Sequence, residues 1–417
     1  MFWNAHFGYK GLFNREMWEH IATKYNGRLP VRIKAVPEGT IVPVKNVLAT
    51  FENTDDKCAS LTNFLETILL EVWAPITVAT NSRTIKVELL KRIMKTSDLS
   101  FEDASAAVAF MLHDFGFRGV SSYESASILG AAHLTSFMGT DTVPGIVLLM
   151  NYYNAEMCGF SVAASEHSTA TPWGTGDGEK QYALNMLRQH PTGICSMVSD
   201  SYNVYEFVNM CTTDEEVFGL IKSREGKTVF RPDSGNPVDI CRALLVILEE
   251  NLGADVTINT KGYKVLPAYI GLLQGDGIDK AMVNRLLDML EQDGWCATTL
   301  VYGSGGGLLQ KFDRDTQKFA IKCSFMIING KEVNVQKDPI TAPGKKSKTG
   351  RLKLVKDENG EFFTASSNDY TRDEFENLKD EMKVVFEDGR LINKSTLEQI
   401  RERASITKAE VMEYEQI

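Results

Sequence analysis

Apolar and polar positions change their rhythm twice along this chain. Residues 31–53, VRIKAVPEGTIVPVKNVLATFEN, are β-branched and interrupted by Pro37, Gly39 and Pro43, which predicts short antiparallel strands joined by turns. Two helical stretches follow, around Leu61–Trp73 and Thr77–Lys95. The second carries Ile85, Leu89, Leu90 and Ile93 at helical spacing. A boundary is expected between Thr96 and Glu102. From there to about Lys311 the pattern becomes apolar strand, polar tip, helix, several times over, as a parallel βα domain requires. Beyond Lys311 the β character returns. FAIKCSFMIING is followed by RLKLVKDENGEFFTA, turning at Asn359-Gly360, and VVFEDGRLI, turning at Asp388-Gly389. A closing helix is expected to start at Ser395, with Glu398 completing a capping box.

The polar tips carry the functional information. They are HDFGFRG from residue 113, VSDS from 198, RPDSGNP from 231, QGDG from 274 and GSGGG from 303. Loops that follow successive parallel strands gather on one face, which in a βα barrel is the active-site face; an open doubly wound sheet would gather them at its switch point. The expected fold is α/β: an irregular βα barrel over residues 101–311, with a second, β-rich α+β domain built from both chain ends, 1–100 and 312–417. After RPDSGNP, Asn236 can cap a helix, Pro237 suits its first turn, and Cys241, Leu244, Leu245 and Leu248 form its buried stripe.

Composition narrows the function classes. The chain has 417 residues, 43% of them hydrophobic, which is enough for two domains. A net charge of −10 and a pI near 5.3 argue against a nucleic-acid partner. KKSKTGR, Lys345 to Arg351, is a local basic exception that suits a phosphorylated substrate or a solvated loop. LETILLEVW is cut by Glu66 and Glu71, so no membrane span is expected. The N-terminus lacks a basic leader with an apolar run, which makes the cytoplasm the expected compartment. Seven scattered cysteines without a C-x-x-C pair read as reduced thiols, and six histidines show no metal-ligand spacing.

Several residues could carry chemistry. GSGGG at a strand end lets backbone N–H groups converge on an anion, although glycine clusters also make tight turns. Asp233 and Asp276 can accept hydrogen bonds from ribose hydroxyls while Arg231 forks onto a phosphate; caps and turn formers are the ordinary alternative. His167 is either structural or a nucleophile toward phosphorus, if a neighbouring acceptor orients the ring. Arg118 could neutralise pyrophosphate and Phe115 lie flat on an aromatic ring, or they are a surface arginine and a core phenylalanine.

Read in order, IKAVPEG, ITVATNSR, HDFGFRGVSS, GTDTVPG, SEHST, VSDSY, FRPDSGNP, QGDG, GSGGGLLQK, and KDP followed by KKSKTGR resemble the nicotinamide phosphoribosyltransferases of the type II phosphoribosyltransferase family, over essentially the whole chain. The resemblance implies synthesis of nicotinamide mononucleotide and pyrophosphate from nicotinamide and phosphoribosyl pyrophosphate with Mg²⁺, in NAD salvage. ATP would be a coupled co-substrate and His167 the residue phosphorylated. Arg118, Ser199 and Arg231 would sit on the phosphates, and Asp233, Gly275, Asp276, Gly305, Gly306 and Arg314 on the ribose 5-phosphate. Phe115 would stack on the pyridine ring. Asp141 would accept a hydrogen bond from the carboxamide and repel the carboxylate of nicotinate. Family precedent implies a homodimer with composite sites, to which Lys322, Lys337 and Lys345 could contribute across the subunit boundary.

Against the family pattern, Met1 falls where relatives are already several dozen residues into the chain. The segment with a DSYK-like motif, which lends the partner a tyrosine, is therefore expected to be absent. Asn203 stands where the family has an aspartate near the histidine, and Phe160 replaces a tyrosine beside the same site. Two competing functions remain at this stage: a nicotinate phosphoribosyltransferase, and a catalytically poor sugar-phosphate-binding regulatory protein.

Overall fold

The computed structural model describes residues 1–341 and 346–412. The chain forms two compact units, one from Met1–Trp73 with Arg314–Arg403 and one from Ala74–Asp313 with Ala404–Ile417. The division falls after Trp73, the first residue of the helix Trp73–Thr96, whereas the sequence pattern placed it near residue 100, and the physical reason lies in that helix. Its Val78, Ile85, Leu89, Leu90 and Ile93 are buried in the same core as the parallel strands. One helical stretch, Leu61–Thr96, is long and apolar enough by composition to cross a bilayer. It is two helices, Leu61–Leu70 and Trp73–Thr96, and 17% of its most apolar window is buried.

The larger unit is α/β. Its sheet has seven strands in the order Gly139–Thr140, Leu112–Asp114, Leu300–Ser304, Ile270–Gln274, Glu225–Arg231, Thr192–Val198, Ala163–Ala164. All neighbours are parallel. Ile270–Gln274 is buried at every position, as a central strand covered on both faces must be. The strands curl into an irregular half-barrel. An isolated parallel bridge, Gly139 to Phe160, links one edge strand to the segment that leads into the other, Ala163–Ala164.

Helix Pro237–Leu252 shows how local chemistry fixes a βα unit. The Asn236 side chain accepts the Val238 N–H, Pro237 opens the first turn, and Cys241, Leu244, Leu245 and Leu248 face the core. A similar cap holds the preceding unit: Asn203 accepts the N–H groups of Tyr205 and Glu206 at the start of Val204–Thr213.

In the smaller unit, Val31–Ala35 lies between Ala49–Asn53 and Lys383–Glu387, antiparallel to both, with Arg390–Leu391 at the edge. The last two strands turn through Asp388 at φ 46° and Gly389 at φ 84°. Two successive positive φ angles define the hairpin turn that Asp-Gly favours. Leu352–Lys356 pairs with Phe362–Ser366 around Asn359-Gly360 as expected. The closing helix corrects the expected cap by one residue. It spans Leu397–Arg403, the Thr396 hydroxyl accepts the Gln399 N–H, and the Gln399 side chain accepts the Thr396 N–H. Ser395 instead accepts a hydrogen bond from the Arg403 guanidinium.

Candidate active site

Adjacent strand ends build one half of the candidate site. Thr192–Val198 and Glu225–Arg231 run in register with Val198 opposite Arg231, so the loops VSDS and RPDSGNP leave side by side. Ser199 donates its N–H to the Arg231 carbonyl at 3.0 Å and its hydroxyl accepts the Arg231 N–H at 3.2 Å. The Arg231 guanidinium is almost fully buried, donates to the Ser165 carbonyl at 3.0 Å, and lies 3.7 Å from Glu166. Its Nε has no partner among the described residues. A buried cation with donor capacity to spare is poised for an anion.

His167 opens the short helix His167–Ala170. Its Nε2 lies 3.0 Å from Asp200 Oδ1 and its Nδ1 4.0 Å from Asp233 Oδ2, with 41% of the side chain exposed. Burial raises the Asp233 pKa, and the neighbouring Asp200 and Asp276 raise it further against the pull of Arg231 and His167. Gly275 is required here by space: a Cβ would stand 2.5 Å from Asp233 Oδ1. Asp276 is exposed, and its carbonyl accepts from the Gln274 side chain at 3.1 Å.

The other half forms around Leu112–Asp114 and Leu300–Ser304, which pair with Asp114 opposite Ser304. Phe115 donates its N–H to the Ser304 carbonyl. Its ring lies directly on Gly303, where a Cβ would come within 2.1 Å of the ring edge. Asp114 is fully buried and accepts the Gly116 N–H at 2.7 Å. Burial pushes its carboxyl up to about 6, against the Gly116 N–H, which holds it down. Just past the next strand, Gly139–Thr140, Asp141 donates its N–H to the Asp114 carbonyl at 2.9 Å, is exposed, and accepts a short hydrogen bond from Ser161. Gly305 and Gly306 begin the short helix Gly306–Leu309. The 3-10 turn Phe117–Gly119, which carries the exposed Arg118, passes close to Gly306 at Gly119.

The structure thus brings Phe115, Arg118, Asp141, His167, Ser199, Arg231, Asp233, Gly275, Asp276, Gly305 and Gly306 to the ends of one sheet's strands and their following loops. Arg314, Lys322 and Lys337 belong to the other unit. There Arg314 lies 3.6 Å from Asp315, and Lys322 and Lys337 are exposed. Lys345 lies outside the described residues. Sequence reasoning missed Asp200, the carboxylate that holds His167, and looked instead to Asn203, which is occupied as a helix cap. The signal was available, because Asp200 lies within the VSDS tip.

Comparison with known proteins identifies the family. The profile of the Nicotinate phosphoribosyltransferase (NAPRTase) family matches residues 110–390. The chain is 42% identical over 402 residues to a protein named nicotinamide phosphoribosyltransferase from Xanthomonas campestris, covering 95% of this chain and 83% of that one. A protein of the same name from Acinetobacter baylyi is 34% identical over 407 residues, covering 92% and 78%. The crystal structure of human nicotinic acid phosphoribosyltransferase aligns over 97% of this chain and 81% of that one, at 14% identity and a TM-score of 0.44. This chain belongs to the nicotinate phosphoribosyltransferase (NAPRTase) family and is a phosphoribosyltransferase, an enzyme of the pentosyltransferase class.

Proposed function

We propose that this enzyme joins nicotinamide to the ribose of phosphoribosyl pyrophosphate, giving nicotinamide mononucleotide and pyrophosphate for NAD salvage. One observation carries the choice of base: Asp141 is an exposed carboxylate one strand away from Phe115, its backbone bonded to that of Asp114. A carboxamide donates to that carboxylate. Nicotinate would set a second negative charge against it, and unrelieved like charges cost several kcal/mol, roughly. The names of the Xanthomonas and Acinetobacter relatives support the same choice.

In this reading Phe115 offers its ring as a platform for the pyridine, and Asp141 orients the ring nitrogen toward the ribose C1. Pyrophosphate leaves as the nitrogen attacks, and positive charge builds on the sugar. The protein contributes alignment, together with fixed charges from Arg231 and Arg118 on the departing oxygens. Asp233 and Asp276 accept from the ribose hydroxyls. Asp200, Asp233 and Asp276 carry oxygen donors of the kind a hard divalent cation takes. Mg²⁺ bound with the pyrophosphate would supply further charge neutralisation there.

ATP coupling through His167 belongs to the same proposal. The ring is held by Asp200 on one nitrogen, which is how an imidazole is kept oriented for attack on phosphorus. A homodimer with composite sites is proposed as well, with Lys322, Lys337 and Lys345 reaching phosphate across the boundary. The exposed apolar residues Phe64, Ile68 and Val72 at four-residue spacing support self-association.

The test is product formation from each base with phosphoribosyl pyrophosphate and Mg²⁺, with and without ATP. The expected result is nicotinamide mononucleotide in preference to the nicotinate product, with stimulation by ATP that His167→Ala and Asp200→Asn both remove. Preference for nicotinate would overturn the assignment of Asp141. Stimulation or labelled phosphate surviving in His167→Ala would overturn the role of the histidine.

A further inference from the structure

The smaller unit contains a cluster that phosphoribosyl transfer does not use. His20 lies on the helix Arg15–Lys24, whose end packs against the 3-10 turn Asp56–Cys58. Asp55 caps that turn by accepting the Lys57 N–H at 2.9 Å. The ligand atoms of His20, Asp55 and Cys58 all lie within 4.8 Å of one another. His20 and Asp55 are partly buried and the Cys58 side chain is wholly buried.

Asp55 Oδ2 stands at the centre of the cluster. It lies 2.9 Å from His20 Nε2 and accepts hydrogen bonds from the Lys24 ammonium at 2.8 Å and the Tyr25 hydroxyl at 2.6 Å. Three donors crowd one oxygen, and one of them is already a cation. The Lys24 side chain is 55% exposed, so water can receive its ammonium without a desolvation cost. Cys58 reaches the cluster from the opposite side, out of a small apolar core of Met17, Ile21, Val31 and Leu61.

We propose that His20, Asp55 and Cys58 form a binding site for a zinc-type transition metal ion, with Lys24 as the cation that the metal displaces. The donor set decides the class. An imidazole nitrogen, a thiolate sulfur and one carboxylate oxygen match zinc or cobalt(II), whereas magnesium and calcium take oxygen donors. Charge balances without further groups, since the carboxylate and the thiolate offset a divalent ion while the ammonium leaves to solvent. The Cys58 thiol must lose its proton on binding, so about one proton per metal goes to solvent. Tetrahedral zinc needs donor atoms about 3.3–3.8 Å apart. The His20–Asp55 pair therefore opens by less than about 1 Å and the sulfur moves in by a similar amount, both within reach of side-chain rotation. The Tyr25 hydroxyl or a water takes the fourth position.

The test uses the full chain, freed of metal by a chelator and titrated with cobalt(II), then with zinc in competition. The expected result is one equivalent of cobalt giving the near-ultraviolet absorption of a thiolate–cobalt bond, which zinc then abolishes. Loss of one of three protein donors is expected to weaken binding by roughly 100-fold or more, so Cys58→Ser and His20→Ala should both lose the absorption. Cys323→Ser, which removes the exposed thiol, should keep it. Lys24→Met removes the competing ammonium, leaves every donor in place, and should tighten binding by about tenfold; this arm remains readable should Cys58→Ser fail to fold. No stoichiometric binding, absorption that survives in His20→Ala or Cys58→Ser, absorption lost in Cys323→Ser, or unchanged affinity in Lys24→Met would each overturn the site.

Discussion

Burial keeps the Asp114 carboxyl up at about 6, and the sign of the consequence can be worked out. Its folded pKa lies above its unfolded one, so its contribution to stability is complete below about 4 and is lost as pH rises through about 6. Asn at this position does not titrate. Asp114→Asn should therefore gain stability relative to the parent by on the order of 2 kcal/mol between pH 4 and pH 7, read from urea unfolding at the two values. A pH-independent difference between the two proteins would show that the carboxyl is not held up by burial. At the same scale, sequence identified His167, Arg231 and Asp233 but not the acid that holds the histidine. Asp200 and Asn203 lie three residues apart on one loop, and only the path of that loop decides which one faces the imidazole and which one caps Val204–Thr213. Side-chain direction at a strand end depends on the backbone turn, which residue type alone does not specify.

The strand Leu300–Ser304 and the turn after it show why glycine is required at some positions and merely convenient at others. A Cβ on Gly303 would come within 2.1 Å of the Phe115 ring, and one on Gly307 within 2.2 Å of the Ile278 carbonyl, whereas Gly306 has open contact at 3.7 Å. Gly303→Ala must push the aromatic ring off its seat. Overpacking of this kind costs about 1–3 kcal/mol, so KM for nicotinamide should rise roughly tenfold or more, with a smaller change in the KM for phosphoribosyl pyrophosphate. Equal rises for both substrates would mean that the ring does not serve the base. Elements with strong local signals were legible before any coordinates. The capped helix Pro237–Leu252 and the Asp388-Gly389 hairpin follow from side chains adjacent in sequence. The start of Leu397–Arg403 was misplaced by one residue, because Ser395 and Thr396 are equally good caps and the Arg403 guanidinium engages the first.

Across the whole molecule, the alternation of strand and helix predicted the parallel sheet, but the division between units did not follow from it. Helix Trp73–Thr96 has the composition of a connector and the buried stripe of a core element, and only packing distinguishes the two. On the smaller unit, Phe64, Ile68 and Val72 remain exposed at 40%, 64% and 50%. If that stripe holds two copies together, Ile68→Glu should weaken self-association by roughly tenfold or more, seen in sedimentation across a concentration series; an unchanged distribution would dissociate the stripe from assembly. Under the proposed role of Asp141, the isolated bridge between Gly139 and Phe160 has a bearing on how substrates are told apart. Asp141 follows one side of that seam and Ser161 the other, so the contact between them spans the least stitched line of the wall. Widening there would part acceptor from hydroxyl before any other strand pair had to separate, making selectivity for the base a property of a joint rather than of a rigid cup.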